Sequence, residues 1–401
     1  MNTATNPPVS TASVVGELLG APKAGQREHG YADTLAEICQ QPDTWSRTAR
    51  AVQARRTEID ASIAGCQAIV LTGSGSSQFA AECIHPLLQS TLAIPALTVG
   101  SGEILLQGRT ALPRGEICLV SLARSGDSPE SVGVVQMLLE QAPEVRHLVV
   151  TCNRNGRLAQ LAASDERLRA IVLDERTNDR SLVMTSSLTN MVIAGTALAG
   201  DPSYIANVDA LASAAHVLLN DHAGSFKAIA QGPFRKAVYL GSGCRYGAAR
   251  ESALKMLEMT DGRVVTFAEN CLGLRHGPMC VIDDATLVVC FLSSDPLRRA
   301  YERDLLNELA RKQIGWRLLI IGVNIPAELV GEGDLGIELT AAQACDDNWL
   351  AVLDVVAGQL LGFFRSLHEG LKPDAPSASG VISRVVNEFT IHHRDGVGQN
   401  P

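Results

Sequence analysis

Ala68-Ile-Val-Leu-Thr-Gly-Ser-Gly-Ser-Ser77 reads as a short strand, apolar on both faces, that breaks at a glycine turn and opens a helix over Gln78 to Leu88. Further apolar bursts follow at Ile117-Cys-Leu-Val-Ser121, His147-Leu-Val-Val-Thr151 and Ala170-Ile-Val-Leu173, separated by helical segments. Strands of this kind belong to a parallel sheet covered on both sides, the doubly wound α/β class. The pattern then recurs. Ala237-Val-Tyr-Leu-Gly-Ser-Gly-Cys-Arg245 lies 168 positions after its counterpart, and at that offset Ala80-Ala81 falls on Ala248-Ala249 and Ser125-Gly-Asp127 on Ser293-Ser-Asp295. Arg317-Leu-Leu-Ile-Ile-Gly322 supplies a later strand of the second copy. The chain therefore divides into an N-terminal arm and helix (1–49), a first α/β domain (50–215), a second (225–375) and a tail (376–401).

The 401 residues suffice for two domains with their own cores, and 46% hydrophobic against 19% charged residues is a globular composition. A net charge of −9 without a basic run argues against nucleic acid or an anionic membrane as partner. Met1 to Ser10 lacks the pattern of a secretory signal, and apolar runs such as Thr286 to Leu292 are too short to span a bilayer. Ten cysteines without a CxxC or Cys/His spacing suggest neither a disulfide framework nor a zinc site, which fits the cytoplasm. Residues 1–30, with Pro7, Pro8, Gly16, Gly20 and Gly30, read as a loosely packed arm. Helical spacing dominates from Tyr31 to Ile63, with Trp45 as an anchor.

Each glycine turn leaves backbone N–H groups free at a helix N-terminus, where an anion is favoured, although glycines also serve tight turns alone. In Arg124-Ser-Gly-Asp-Ser-Pro-Glu-Ser131 hydroxyls and a guanidinium gather just past a strand; Ser128, before Pro129, equally fits a helix cap. Met184-Thr-Ser-Ser187 is a third hydroxyl cluster, and the three turns together make a neutral cradle for a phosphate. The lysine of a GxxxxGK[ST] loop and the third glycine of GxGxxG are missing, which argues against nucleoside triphosphates and dinucleotides. No metal or organic cofactor is indicated. In the second copy Glu251, Lys255 and Glu258 are spaced to share one helix face. Such a stripe commonly means a solvated face, but this helix begins at the anion turn. Arg275-His-Gly-Pro278 presents His276 on a rigid loop, as an acid–base candidate or a structural histidine.

These blocks, with Ala248-Ala-Arg-Glu-Ser-Ala-Leu-Lys255 and Pro376-Ser-Ala-Ser-Gly380, resemble the sugar isomerase (SIS) family, whose members carry two tandem α/β domains. The likeness spans residues 35–393 and is closest to the galactosamine-6-phosphate deaminase/isomerase branch. By resemblance to the isomerase domain of glucosamine-6-phosphate synthase, Ser76, Ser77, Arg124, Ser125 and Ser128 hold the substrate phosphate. Thr185, Ser186, Ser377 and Ser379 face the sugar. Glu258 is the base that moves a proton between C1 and C2, Glu251 and Lys255 support it, and His276 opens the ring. The histidine loop completes a neighbouring subunit's site, implying a homodimer or larger assembly. Val381 stands where the synthase has a Schiff-base lysine, and the glutamine-hydrolysing domain is missing, so neither imine catalysis there nor amination from glutamine is expected. The implied reaction turns galactosamine 6-phosphate into tagatose 6-phosphate and ammonia. Isomerisation without deamination, or phosphosugar sensing without turnover, are the alternatives.

Overall fold

A computed structural model describes residues 9–385 and 390–392 of the chain. Two parallel five-stranded sheets form it. The first joins β1 (Ala68–Thr72), β2 (Ala96–Thr98), β3 (Ile117–Ala123), β4 (Val145–Thr151) and β5 (Leu168–Val172) in the order β2-β1-β3-β4-β5. The second joins β6 (Lys236–Leu240), β7 (Val265–Glu269), β8 (Thr286–Leu292), β9 (Arg317–Gly322) and β10 (Leu335–Glu338) in the order β10-β9-β8-β6-β7. With β6 equivalent to β1, the two orders are identical, and the strand order turns back beside the glycine turn in each. Every residue of β1, β3 and β8 is buried, which is why these strands read as unbroken apolar runs. β2 has three residues and β7 is half-exposed along its length, so neither edge strand carries that signature.

The two glycine turns are copies in backbone detail. Gly75 (φ 56°, ψ −127°) and Gly243 (φ 59°, ψ −129°) cap the helices Ser76–Thr91 and Cys244–Met259, in a conformation a side chain would strain. These two helices cross against each other and join the domains. Their order of contact is antiparallel: Ser76 meets Lys255, Glu82 meets Arg250, and Cys83 meets Gly247. At Gly247 the backbones approach so closely that a Cβ would lie 2.7 Å from the Cys83 amide nitrogen.

Two sequence expectations change. The loose arm is helical from Val14: Ser13 caps the helix Val14–Gly20 by accepting the Gly16 amide at 3.1 Å, and Val15 is fully buried. A nearly continuous helical run from Tyr204 to Ala230 ties the two domains. The chain also holds a segment apolar and long enough to cross a bilayer, the 22-residue helix Asp347–His368, but 94% of its apolar window is buried within the protein. It is a core helix, holding Tyr31 against Phe363 and Gln41 against Gln359 at 2.7 Å.

Gly247→Val should force the two crossing helices apart and lower stability by about 1–3 kcal/mol, read as a drop in melting temperature. An unchanged melting temperature would show that the crossing has slack.

Candidate active site

Lys255 is the node of the site. Fully buried, it lies 3.3 Å from Glu251 Oε1, donates to Ser76 Oγ at 3.1 Å and pairs closely with Glu258 Oε2. The residues share one helix face, as their spacing requires, but that face packs on the first domain: Glu251 is also fully buried, and the solvated-stripe alternative falls. Burial alone would lower the Lys255 ammonium, yet its two carboxylates raise it above its ordinary value. Burial pushes Glu251 up to about 7, with Lys255 pulling the other way. Glu258 keeps 23% of its side chain exposed and reaches open space.

That space is a cavity of about 570 Å³ lined by Ser74, Gly75, Ser76, Arg124, Leu182, Met184, Leu254, Glu258 and Val381 to Arg384. It joins the first domain's glycine turn, the second domain's carboxylate helix and the tail. Of the sequence-predicted residues, Ser76, Arg124 and Glu258 line it, and Lys255 and Glu251 stand directly behind. Val381, 82% exposed, is part of the wall, and among the described residues no lysine lines the cavity. Among the described residues no cluster of His, Cys, Asp or Glu is placed to hold a metal ion.

The Arg124 guanidinium is buried and donates to the carbonyls of Leu182 (3.1 Å) and Arg384, tying two walls of the cavity together. Behind it stand two acids that the sequence reading missed. Asp179 Oδ2 accepts the amides of Thr185 (2.8 Å) and Ser187 (2.9 Å), and its carboxylate also takes the Ser186 and Ser187 hydroxyls. Glu37 accepts the Ser181 amide at 3.2 Å and the Ser181 hydroxyl, fixing the loop that Arg124 grips. Burial and the nearby Asp179 push Glu37 up to about 7. Arg384 returns from the tail to donate to the Asp179 carbonyl at 2.7 Å and Asn178 Oδ1 at 2.8 Å.

Several expected contacts are corrected. Ser186 does not face the cavity, because its hydroxyl is spent on Asp179 at the start of the helix Ser186–Thr196. The neighbouring Thr185 hydroxyl is buried and has no partner among the described residues. Ser377 and Ser379 lie outside the lining. The Gly380 amide closes a turn on the Ser377 carbonyl at 3.2 Å, and Gly380 (φ 71°) redirects the chain so that residues 381–384 form the wall. Ser77 lies under the turn, where a Gly73 Cβ would come within 2.6 Å of its own Cβ. Ser125 Oγ accepts the Asp127 amide at 3.2 Å, and Ser128 donates to Ser131 Oγ at 2.9 Å instead of capping its helix. His276 is exposed and does not line its own chain's cavity.

The model of the SIS domain family matches residues 62–200. The chain is 35% identical over 369 residues to the D-galactosamine-6-phosphate deaminase AgaS of Escherichia coli, covering 90% of this chain and 95% of that protein. It is 31% identical over 375 residues to the protein of the same name from Shewanella sp. (strain ANA-3), covering 91% and 93%. The crystal structure of tagatose-6-phosphate ketose/aldose isomerase from Escherichia coli is similar with a TM-score of 0.83 at 33% identity, over 90% of this chain and 96% of that one. The C-terminal domain of glucosamine-fructose-6-phosphate aminotransferase from Francisella tularensis shares the fold, with a TM-score of 0.72 at 18% identity over 84% and 96%.

The two raised carboxyls set a pH dependence with a definite sign. Glu37 and Glu251 have native values of about 7 against an ordinary 4.5, so the native state binds more protons than the unfolded chain between those values. Their contribution to stability is complete below 4.5 and lost as pH rises through 7. Between about pH 5 and about pH 8, Glu37→Gln should therefore lose less melting temperature than the wild type. Equal slopes in the two proteins would show that Glu37 does not titrate there.

Proposed function

The chain belongs to the SIS family, in its D-galactosamine-6-phosphate deaminase branch, and we propose that it converts galactosamine 6-phosphate and water to tagatose 6-phosphate and ammonia by acid–base isomerisation. One observation carries this reading. A partly exposed carboxylate, Glu258, and the anion turn at Ser76, with Arg124, open into one cavity, although they come from different domains.

Ser76 and Arg124, at the cavity wall, anchor the phosphate end of the sugar. With the open-chain aldehyde in place, Glu258 takes the C2 proton, and the electron pair moves through C1 onto the aldehyde oxygen, giving an enolamine. Return of a proton to C1 leaves an imine at C2. Water adds to that carbon and ammonia departs, so the nitrogen leaves with no change in overall oxidation state. Lys255 holds the Glu258 carboxylate in place, and Glu251 holds Lys255 from behind. A base of this kind contributes about 10²–10⁴ in rate, and anchoring the unreactive phosphate supplies much of the rest by fixing C1 and C2 beside it. The carboxylate route itself needs no enzyme-bound imine. Ketose/aldose isomerisation of a neutral sugar phosphate would use the same base and release no ammonia.

His276 opens the ring from a neighbouring subunit in a homodimer or larger assembly. Its exposed place outside its own cavity, and the left-handed Gly277 (φ 122°) that holds the loop outward, support this role. The protein acts in the cytoplasm on a small phosphosugar, with neither nucleic acid nor membrane as partner. All ten cysteines are free, nine of them buried, which accords with a reducing setting.

Glu258→Gln should reduce ammonia release from galactosamine 6-phosphate by about 10²–10⁴ in kcat with little change in KM. Retained turnover would remove Glu258 as the base. Mixed oligomers of Glu258→Gln and His276→Ala chains should regain activity that neither variant has alone, since one site then combines an intact base with an intact histidine. Mixtures as inactive as their parents would place His276 outside any shared site.

A further inference from the structure

The duplication supplies a second copy of the anion cradle, and its hydrogen bonds show what fills it. Ser293 and Asp295 stand 168 positions after Ser125 and Asp127, and one hydrogen bond recurs: the Asp295 amide donates to Ser293 Oγ at 3.1 Å, as the Asp127 amide does to Ser125 Oγ at 3.2 Å. The second loop is two residues shorter between strand and helix, and it closes on a carboxylate of the chain itself. Asp347 takes the Ser293 hydroxyl on Oδ2 and, on Oδ1, the Ser294 amide at 2.7 Å and the Ser294 hydroxyl at 2.9 Å. Arg298 donates to Oδ2 at 3.1 Å, and Arg245 Nη1, at the position equivalent to Ser77, lies 3.6 Å from Oδ1. Asp347 is 3% exposed. Burial would raise its carboxyl, but Arg245 and these donors hold it below its ordinary value.

In the first copy the equivalent helix begins at Ser186 and carries no acid in its first turn. Asp179, seven residues before it, accepts the amides of Thr185 and Ser187 at that helix start. The first domain's helix offers the second cradle no base either, since Leu87 and Ser90 stand there at the positions that Lys255 and Glu258 hold on the second domain's helix.

We infer that Asp347 is a built-in substitute for phosphate: its carboxylate fills the second domain's anion cradle, so that each chain holds one phosphosugar, in the first domain. Two hydroxyls, an amide and the Arg298 guanidinium converging on two anionic oxygens are the donor set a phosphate would receive, with Arg245, hydrogen-bonded to Asp354, adding positive charge alongside. The inference rests on the reading of the first domain's turns as a phosphate cradle.

Asp347→Ala tests it, because removing the carboxylate leaves those donors facing an open space. Asp346, not Asp347, caps the core helix, accepting the amides of Asn348 and Trp349, so the helix start survives the change. Full-length wild type and variant are titrated with inorganic phosphate by calorimetry, and melted in phosphate or in chloride of equal ionic strength. The expected result is one phosphate per wild-type chain and two per variant chain, with the variant melting several degrees lower in chloride and recovering more than the wild type in phosphate. One phosphate on each protein, with equal thermal responses, would overturn the inference and leave the first cradle standing. None on the wild type and one on the variant would support it and remove the first cradle. A variant that folds only in phosphate supports it, and one that folds in neither buffer overturns it.

Discussion

A buried ammonium between two carboxylates and a serine hydroxyl holds this molecule's working parts together. Lys255 comes from the second domain and Ser76 from the first, so the contact both seals the junction and sets the position of Glu258. An isolated charge at full burial would be costly. Lys255 is tolerated because Glu251, Glu258 and Ser76 meet it on several sides, and removing any one leaves the others as uncompensated buried groups. Glu258 is the member of this set that also reaches the cavity, so its carboxylate is fixed from the protein side and free on the other. A positioned base needs that combination.

The antiparallel crossing of the two turn helices explains why the Glu258 carboxylate reaches the first domain's turn from the other domain. Glu258 lies fourteen positions after Cys244, about 21 Å along the helix axis from its own glycine turn. A carboxylate there cannot serve a ligand at the turn that starts its helix. Crossing antiparallel against the first domain's helix brings it instead to Ser76, at the start of that partner. Gly247 permits the close approach, and Arg250 fastens it by pairing with Glu82 and lying 4.4 Å over the Phe79 ring.

The strands buried on both faces and the repeated glycine turns were legible because continuous apolar runs and a fixed offset are properties of sequence alone. The helix face shared by Glu251, Lys255 and Glu258 was legible for the same reason. Which way that face points was not, since the same spacing serves solvent or a packed junction, and Gly247 settles the matter only once its neighbour Cys83 is known. The edge strands β2, β7 and β10 were missed because short or half-exposed strands lack a both-faces pattern. Ser186 was taken for a ligand contact because hydroxyls past a strand look alike. Asp179, seven residues upstream, claims it, and nothing in the spacing separates a carboxylate that caps a helix from one that enters a site.

Two turns with matching backbone angles therefore have different surroundings. In the first domain Asp179 is turned to the next helix and the cavity wall retains Ser76 and Arg124; in the second Asp347 is drawn into the loop and two arginines crowd beside it. The core helix accounts for the difference. Its first residue is Asp347, at the Ser293 loop, whereas its first-domain counterpart begins at Ser186 and carries no acid in its first turn. One acidic residue at a helix start thus separates a loop beside an open cavity from one closed by the protein itself, while the sheets and glycine turns remain the same.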